Sequence, residues 1–187
     1  MKVRDSGMPN EEMWSDFFDV RTMLDQMQIS PLLDQVVDLG SGYGTFTIPV
    51  AQIIKGTVHA FDIEPKMIDL LQHKSVLLNI ENIELNLCDF IADGSGLPDH
   101  SMNYVMLFNI LHHTHPEQIL GETFRILKQG GKAGIIHWRS DISTPRGPAL
   151  TIRPTPEQCK KWAVASGFFI SKELLLNPYH FGLIISK

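Results

Sequence analysis

Apolar and polar positions follow one another along this chain in a pattern that predicts strands and helices in turn. Short apolar runs that stop at a polar residue or a glycine are typical of buried strands, and longer segments with apolar residues every three or four positions are typical of helices. The predicted strands are residues 35–39, 57–61, 83–88, 104–108, 132–138, 168–176 and 181–185. The predicted helices are residues 10–28, 46–54, 65–74, 116–127 and 156–166.

The order of these elements predicts the fold class. Strands that alternate with helices as far as residue 138 indicate an α/β protein, with a parallel sheet covered by helices on both faces. The last two strands are joined by residues 177–180, a connection short enough for an antiparallel hairpin. No repeat or linker interrupts the pattern, so we expect one domain over residues 1–187, with residues 1–30 as a helical addition.

The composition fits an ordinary folded domain. With 43% hydrophobic residues the chain can bury a core, and no apolar run reaches the ~18 residues of a membrane span. Residues 1–12 are polar and lack the apolar centre of a signal peptide, and Cys88 and Cys159 have no metal or redox spacing, so we expect a cytoplasmic protein. The net charge of −5, without a basic block, argues against a nucleic-acid partner.

A glycine-rich turn follows the first predicted strand and precedes a predicted helix. Its glycines, Gly40, Gly42 and Gly44, give the spacing G-x-G-x-G directly after Asp38 and Leu39. Such a turn lets a ligand approach the main chain closely. A dinucleotide cradle of the form G-x-G-x-x-G needs glycine at the position that Thr45 occupies, and an acidic residue at the strand end suits a cationic or hydroxylated ligand better than a pyrophosphate.

This combination resembles motif I of the class I S-adenosylmethionine-dependent methyltransferases, and the resemblance extends over roughly residues 10–187. It implies a doubly wound, seven-stranded, mostly parallel sheet with one antiparallel strand near the C-terminus, and S-adenosyl-L-methionine as the cofactor. The resemblance implies that Asp38 faces the amino group of the cofactor, directly or through water, and a carboxylate suits an ammonium. The loop backbone packs against the methionine portion of the cofactor; in this chain the loop is Gly40, Ser41, Gly42, Tyr43 and Gly44.

Asp62 ends the second predicted strand, 18 residues beyond Gly44. An acidic residue at about this distance is placed to bind ribose hydroxyls, and its two oxygens match two hydroxyl donors. The alternative is a helix N-cap, a position that aspartate also favours. Ile63 and Met67 are expected to wall the adenine or the neighbouring core.

The resemblance implies that an acidic residue after the third strand accepts from the exocyclic amine of adenine, and two residues are candidates for it. Counted forward along the strand, Asp89 is in the family position; counted backward from Leu97 and Pro98, Asp93 is. We favour Asp89 because a cofactor contact belongs at the strand end, and the resemblance then implies that Phe90 lines the same pocket.

The fourth strand ends in polar residues where the resemblance places the methyl donor. Asn109 and Ile110 are expected to border it. His112 and His113, which cluster with His115, are candidates for a general base, and so is His137 at the end of the fifth strand. The alternative for the first pair is a packing role at the start of a helix. Nothing else nearby supports a metal site, and we predict none.

The loop 139–156 follows the fifth strand at the edge where open parallel sheets bind ligands. Its prolines make it stiff, and its three arginines, Arg139, Arg146 and Arg153, are candidates to bind an anionic group on a substrate. The alternative is that they pair with surface carboxylates or loop carbonyls.

These features predict a methyltransferase that transfers the methyl group of S-adenosyl-L-methionine to a small-molecule acceptor by in-line displacement. One alternative is a catalytically silent cofactor-binding protein that acts through protein contacts. A nicotinamide-dependent oxidoreductase is disfavoured by Thr45. The oligomeric state is not readable from the sequence.

Overall fold

A computed structural model describes residues 11–176 and 178–187 of the chain. The strands are β1 (Gln35–Leu39), β2 (Thr57–Asp62), β3 (Ile83–Leu87), β4 (Met102–Phe108), β5 (Leu127–Trp138), β6 (Phe169–Leu176) and β7 (His180–Ser186). The helices are α1 (Glu11–Ser15), α2 (Val20–Gln26), α3 (Thr47–Ile53), α4 (Pro65–Leu77), α5 (Pro116–Ile126) and α6 (Pro156–Ala165). A short 3-10 helix, Leu150–Ile152, lies within the loop that follows β5.

All seven strands form one sheet in the order β3-β2-β1-β4-β5-β7-β6. The pairs from β3 to β5 are parallel, and β7 runs antiparallel to both β5 and β6. The predicted fold class is therefore confirmed, including the one reversed strand. The direction of winding changes between β1 and β4, and the carboxyl ends of these two strands form the crevice where such sheets bind ligands.

Alternate side chains of the strands point to opposite faces of the sheet, so each face has its own apolar core. One core packs β-strand residues Val37, Leu107 and Ile135 under α5 and α6. The other includes Val36 and Met106 and is covered by residues from α2 and α3. The sheet is thus buried on both sides, which leaves its edges and the loops at its carboxyl end for contacts with other molecules.

The N-terminal addition differs from the prediction of one helix over 10–28. Two short helices form instead, because the side chain of Asp19 accepts a hydrogen bond from the backbone N–H of Thr22 (3.2 Å) and starts α2 as an N-cap. Asn10, the predicted start, lies outside the described residues.

Strand β5 also begins earlier than predicted. The segment 129–131, which lies between the predicted helix 116–127 and the predicted strand 132–138, is inside a strand that starts at Leu127. Gly130 takes a φ of +76°, and the register of β4 against β5 shifts between Met102 and Tyr104. A glycine with positive φ inside the strand suits this irregular pairing.

Candidate functional site

The glycine loop between β1 and α3 has a conformation that other residues adopt poorly. Gly40, Gly42 and Gly44 have φ values of +84°, +53° and +75°. A Cβ atom on Gly40 would lie 2.8 Å from Cδ1 of Ile110, and one on Gly44 would lie 2.5 Å from Cδ1 of Leu71. The loop therefore favours glycine for its dihedral angles, and a larger residue at Gly40 or Gly44 would also displace the end of a neighbouring side chain.

Backbone hydrogen bonds fix this loop against the end of β2. The N–H groups of Gly40 and Ser41 both donate to the carbonyl oxygen of Phe61, each at 2.9 Å, and the N–H of Gly44 donates to the carbonyl of Ser41 at 2.9 Å. The ammonium of Lys74, on α4, donates to the carbonyl of Tyr43. The loop is thus held by two neighbouring elements before any ligand binds.

Asp62 joins the glycine loop to the start of α4. Its Oδ2 accepts from the N–H of Gly42 at 2.8 Å, and its Oδ1 accepts from the N–H of Glu64 at 2.9 Å. The N-cap residue of α4 is Glu64, so Asp62 is not the cap that the alternative suggested. Each carboxylate oxygen has more than one lone pair, so a hydrogen bond from a backbone N–H does not by itself prevent it from binding a hydroxyl.

Asp38 is buried at the end of β1, with 4% of its surface exposed. It accepts a hydrogen bond from the hydroxyl of Thr47 (2.6 Å). Burial raises the pKa of Asp38 to about 7; the Thr47 hydrogen bond opposes this shift, and the negative charge of Asp62 adds to it. Thr47 was missed by the sequence analysis, although a hydroxyl residue in the first turn after a glycine loop was a usable signal.

Asp89 lies two residues beyond β3, and the backbone N–H of Cys88 donates to the carbonyl of Asp62 at 3.0 Å. The end of β3 therefore lies beside the end of β2. The Oδ1 atom of Asp89 accepts from the N–H groups of Ile91 (3.3 Å) and Ala92 (3.1 Å), which orients the carboxylate within a tight turn.

The other residues predicted for the adenine side differ in burial. Phe90 and Met67 are buried, Ile63 is half-buried, and Asp93 is exposed. Asp93 is exposed in a turn, which agrees with the choice of Asp89 as the residue that binds the adenine amine. That assignment stays a prediction.

Two buried polar atoms at the carboxyl ends of β1 and β4 lack a hydrogen-bond partner within the described part of the chain. They are the hydroxyl oxygen of Ser41 and the side-chain oxygen of Asn109. Asn109 has a φ of +57°, and its N–H donates to the carbonyl of Ile136 at 2.7 Å. Buried polar groups are nearly always paired, so this edge suits a polar ligand that would supply the partners. The residues present therefore fit an amino acid and nucleoside cofactor.

The structure brings together two of the three predicted catalytic histidines. Nδ1 of His112 lies 3.3 Å from Nε2 of His137, and Nδ1 of His137 lies 3.2 Å from the carbonyl oxygen of Trp138. His137 is fully buried, and its burial lowers its pKa well below the usual value. Nδ1 of His113 instead faces the backbone N–H of His115 at 3.1 Å. Among the described residues no three His, Cys, Asp or Glu side chains are arranged to hold a metal ion.

The three loop arginines do not converge on one place. The guanidinium of Arg139 donates twice to the carboxylate of Asp141, at 2.9 and 2.7 Å, and Arg146 is exposed. Arg153 is buried and donates to the carbonyls of Pro148 (2.7 Å), Arg139 (2.9 Å) and Arg146 (3.1 Å). The geometry of Arg153 matches the alternative in which an arginine binds loop carbonyls and holds the loop in shape.

The N-terminal helices cover the end of β5. The rings of Trp14, Phe17 and Phe18 lie 6.0, 5.5 and 6.2 Å from the ring of Trp138. His180, across the β5–β7 pair, packs 4.2 Å from that same ring. The indole N–H of Trp138 and both ring nitrogens of His180 are buried without a partner in residues 11–176 and 178–187.

A cavity of about 450 Å³ opens at the carboxyl end of β5. It lies between the start of the 139–156 loop, the first residues of α6 and the edge strand β6; its lining includes Arg139, Thr155, Glu157, Glu173 and Phe181.

No helix in the described part of the chain has the length and apolar character to cross a membrane.

A family model described as a methyltransferase domain matches residues 36–131, slightly more than half of the chain. Aklanonic acid methyltransferase of Streptomyces sp. (strain C5) is 27% identical over 147 residues, which are 72% of this chain and 66% of that protein. Demethylmenaquinone methyltransferase of Lactobacillus johnsonii is 30% identical over 124 residues, 64% of this chain and 48% of that protein. The chain thus spans between about half and two thirds of the length of these curated relatives.

Solved structures share the fold. A methyltransferase from Aquifex aeolicus, described as dependent on S-adenosylmethionine, has a TM-score of 0.82 at 21% identity, over 91% of this chain and 90% of that one. SpnF, described as a 4+2 cyclase, has a TM-score of 0.75 at 14% identity, over 100% of this chain and 88% of that one. The family match over residues 36–131 shows that the chain belongs to the methyltransferase-domain family, and these solved structures share its fold.

Proposed function

We propose that this protein transfers the methyl group of S-adenosyl-L-methionine to a small-molecule acceptor. The observation that carries the proposal is the glycine loop, which follows the buried Asp38 and donates from the N–H of Gly42 to Asp62. Beside it, the side-chain oxygens of Ser41 and Asn109 are buried and have no partner among residues 11–176 and 178–187. The cofactor supplies a methyl group on a positively charged sulfur, so the transfer needs alignment of the acceptor and no covalent enzyme intermediate.

Different residues of the site bind different parts of the cofactor. Asp38 binds the ammonium of the methionine portion, and the backbone of residues 40–44 packs against it. Asp62 accepts from the ribose hydroxyls. Asp89 accepts from the adenine amine, and the walls of the adenine pocket are Phe90, Ile63 and Met67. Asn109 and Ile110 border the methyl donor, and Ile110 already packs against the loop at Gly40.

The acceptor enters beyond the carboxyl ends of β4 and β5. The cavity beside Arg139 and the cluster around Trp138 and His180 lie at this end of the sheet. Arg139 and Arg146 remain the candidates for binding an anionic group on the acceptor. The relatives named for aklanonic acid and demethylmenaquinone support an organic small molecule as the acceptor.

A second candidate is a cofactor-binding protein that does not transfer methyl groups. The likeness to a protein described as a 4+2 cyclase supports this second candidate. That protein has the same fold, but its description gives a reaction other than methyl transfer.

Calorimetry with S-adenosylhomocysteine, the demethylated product, and with a nicotinamide dinucleotide tests cofactor choice. We expect the first to bind far more tightly. Tight nicotinamide binding without binding of the adenosyl compound would overturn the proposal. A radiolabelled methyl group then separates the two candidates: transfer to any acceptor in a small-molecule panel supports the enzyme, and binding without transfer supports the silent protein.

A further inference from the structure

Strand β3 is one of the two edges of the sheet, and it has few of the features that keep an edge from pairing with another chain. Sheet edges are commonly protected by charged residues, prolines or bulges. The opposite edge, β6, carries Lys172 and Glu173 and has a shift in register between Ile170 and Lys172. In β3 the register against β2 is continuous over residues 83–87, and Glu84 is the one charged residue of the strand.

The outward backbone groups of β3 belong to alternate residues. The carbonyl of Asn82 accepts a hydrogen bond from β2 at 2.9 Å, and the N–H of Cys88 donates to β2 at 3.0 Å. Because backbone groups alternate in direction along a strand, the N–H and C=O groups of Ile83, Leu85 and Leu87 point away from β2. Within residues 11–176 and 178–187 no strand pairs with that side of β3.

An apolar surface lies beside this open edge. A groove of about 380 Å³ runs between α4 and β3, and its lining includes Val76, Ile80, Ile83 and Leu85. Val76 is 66% exposed, and Leu87 at the end of β3 is 56% exposed. A partner that fits this surface supplies both a strand for the backbone groups and apolar side chains for the groove.

A second copy of this chain supplies both. In antiparallel pairing about a twofold axis at Leu85, residue 83 of one copy lies opposite residue 87 of the other, and all the outward groups exchange hydrogen bonds. Glu84 then lies opposite Asn86 of the second copy, which places an amide against a carboxylate. A register centred on Glu84 would place two carboxylates opposite each other, and one centred on Asn86 would leave Ile83 beyond the end of the pairing.

The Glu84 carboxylate is accessible for this contact. Its side chain is 65% exposed, although its Oε2 atom lies 2.9 Å from Nδ1 of His59 on β2. The carboxylate has a second oxygen, so the contact with His59 and a hydrogen bond from the amide of Asn86 of the second copy are compatible.

We propose that this protein forms a homodimer in which the β3 edges of two copies pair antiparallel and join the two sheets into one. The twofold axis is perpendicular to the sheet, so the two α4 helices lie on the same face beside the junction. A stable interface buries on the order of 1,000 Å² or more, which exceeds what five paired residues provide, so the apolar surface of α4 is a necessary part of it. The carboxyl ends of the strands point in opposite directions in the two copies, and each copy keeps its own candidate site.

Sedimentation over a concentration series tests the dimer. The wild-type protein at about 100 μM should have twice the 21.1 kDa mass of one chain. Asn86→Glu places like charges opposite each other at two related positions and should raise the dissociation constant of the dimer about tenfold. Asn86→Lys places a cation opposite Glu84 and should not raise it. Both variants lose the same amide, which donates to the carbonyl of Glu84 at 3.1 Å, so they differ in the sign of the new charge.

Two further variants complete the test. Ser171→Glu adds a carboxylate to the exposed part of the other edge strand, β6, and should leave the dissociation constant unchanged. Leu87→Pro removes an outward N–H that does not bond to β2, so the chain should fold, as circular dichroism would show, and should stay monomeric.

Hydrogen exchange gives a measurement that is specific to the register. The N–H groups of Ile83, Leu85 and Leu87 should exchange slowly in the wild-type dimer and about tenfold faster in Asn86→Glu under the same conditions.

A wild-type chain that stays monomeric up to about 100 μM would overturn the proposal. So would a dimer on which Asn86→Glu and Asn86→Lys have equal effects, because such a dimer uses another surface. Slow exchange of the same three N–H groups in a monomer would also overturn it, since another segment of the chain would then cover the edge.

Discussion

Asp38 provides the sharpest prediction, because its environment opposes the charge that its proposed function needs. Burial raises the pKa of this carboxyl from 3.8 to about 7. Between these values the folded protein holds a proton that the unfolded chain has lost. The stability that depends on Asp38 therefore falls as the pH rises from about 4 to about 7, by at most ~1.36 kcal/mol per pH unit.

The substitution Asp38→Asn removes this titration and keeps an oxygen that can accept from Thr47. The difference in the free energy of unfolding between variant and wild type should therefore rise by about 2.5 kcal/mol from pH 5 to pH 8 in favour of the variant, with most of the change below pH 7. Urea denaturation of the cofactor-free proteins at several pH values measures it. Asp69→Asn, at an exposed position of α4, is the matched control for the loss of a carboxylate outside the site.

The same substitution, Asp38→Asn, should weaken the binding of the cofactor. An ammonium beside Asp38 favours its ionised form, so wild-type protein at pH 6 should release about one proton when S-adenosylhomocysteine binds, and Asp38→Asn should release none. Calorimetry in two buffers of different ionisation enthalpy measures this proton. The reasoning is refuted if the variant binds as tightly as wild type, or if the stability difference does not change with pH.

Three further predictions concern the rest of the site. Asp62→Ala should weaken S-adenosylhomocysteine binding by about 1.5–3 kcal/mol, measured by calorimetry, and should also lower the melting temperature because two backbone N–H groups lose their acceptor; an unchanged dissociation constant would restrict Asp62 to a structural role. Asp89→Asn should weaken binding more than Asp93→Asn, and the reverse ranking would assign the adenine amine to the exposed residue. Arg153→Ala should lower the free energy of unfolding by about 2–3 kcal/mol in urea, whereas the exposed Arg146→Ala should change it little; equal effects would contradict the role of Arg153 in holding the loop.

The sheet could be predicted closely from the sequence, because buried strands and amphipathic helices differ in the period of their apolar residues. The bounds of β1 agree with the prediction, and most other bounds differ by only a few residues. The errors occurred where local hydrogen bonds and backbone geometry override the period. Asp19 starts a new helix within an amphipathic segment, and Gly130 takes a positive φ inside β5, where the pairing with β4 is irregular.

The sequence by itself determined the parts of the site that depend on backbone conformation. A loop with positive φ at three positions requires glycine, and the acidic residues that follow the strands can be recognised in the chain. Only the tertiary structure decided which side chains meet across strands. It pairs His112 with His137, which are 25 residues apart, and directs Arg153 to three loop carbonyls instead of a cavity. It also buries Asp38, which raises the pKa of this carboxyl, and brings to it the hydroxyl of Thr47, whose hydrogen bond opposes the shift. These properties arise from the low polarity of a packed interior and from contacts between distant segments, and no local pattern in the sequence encodes them.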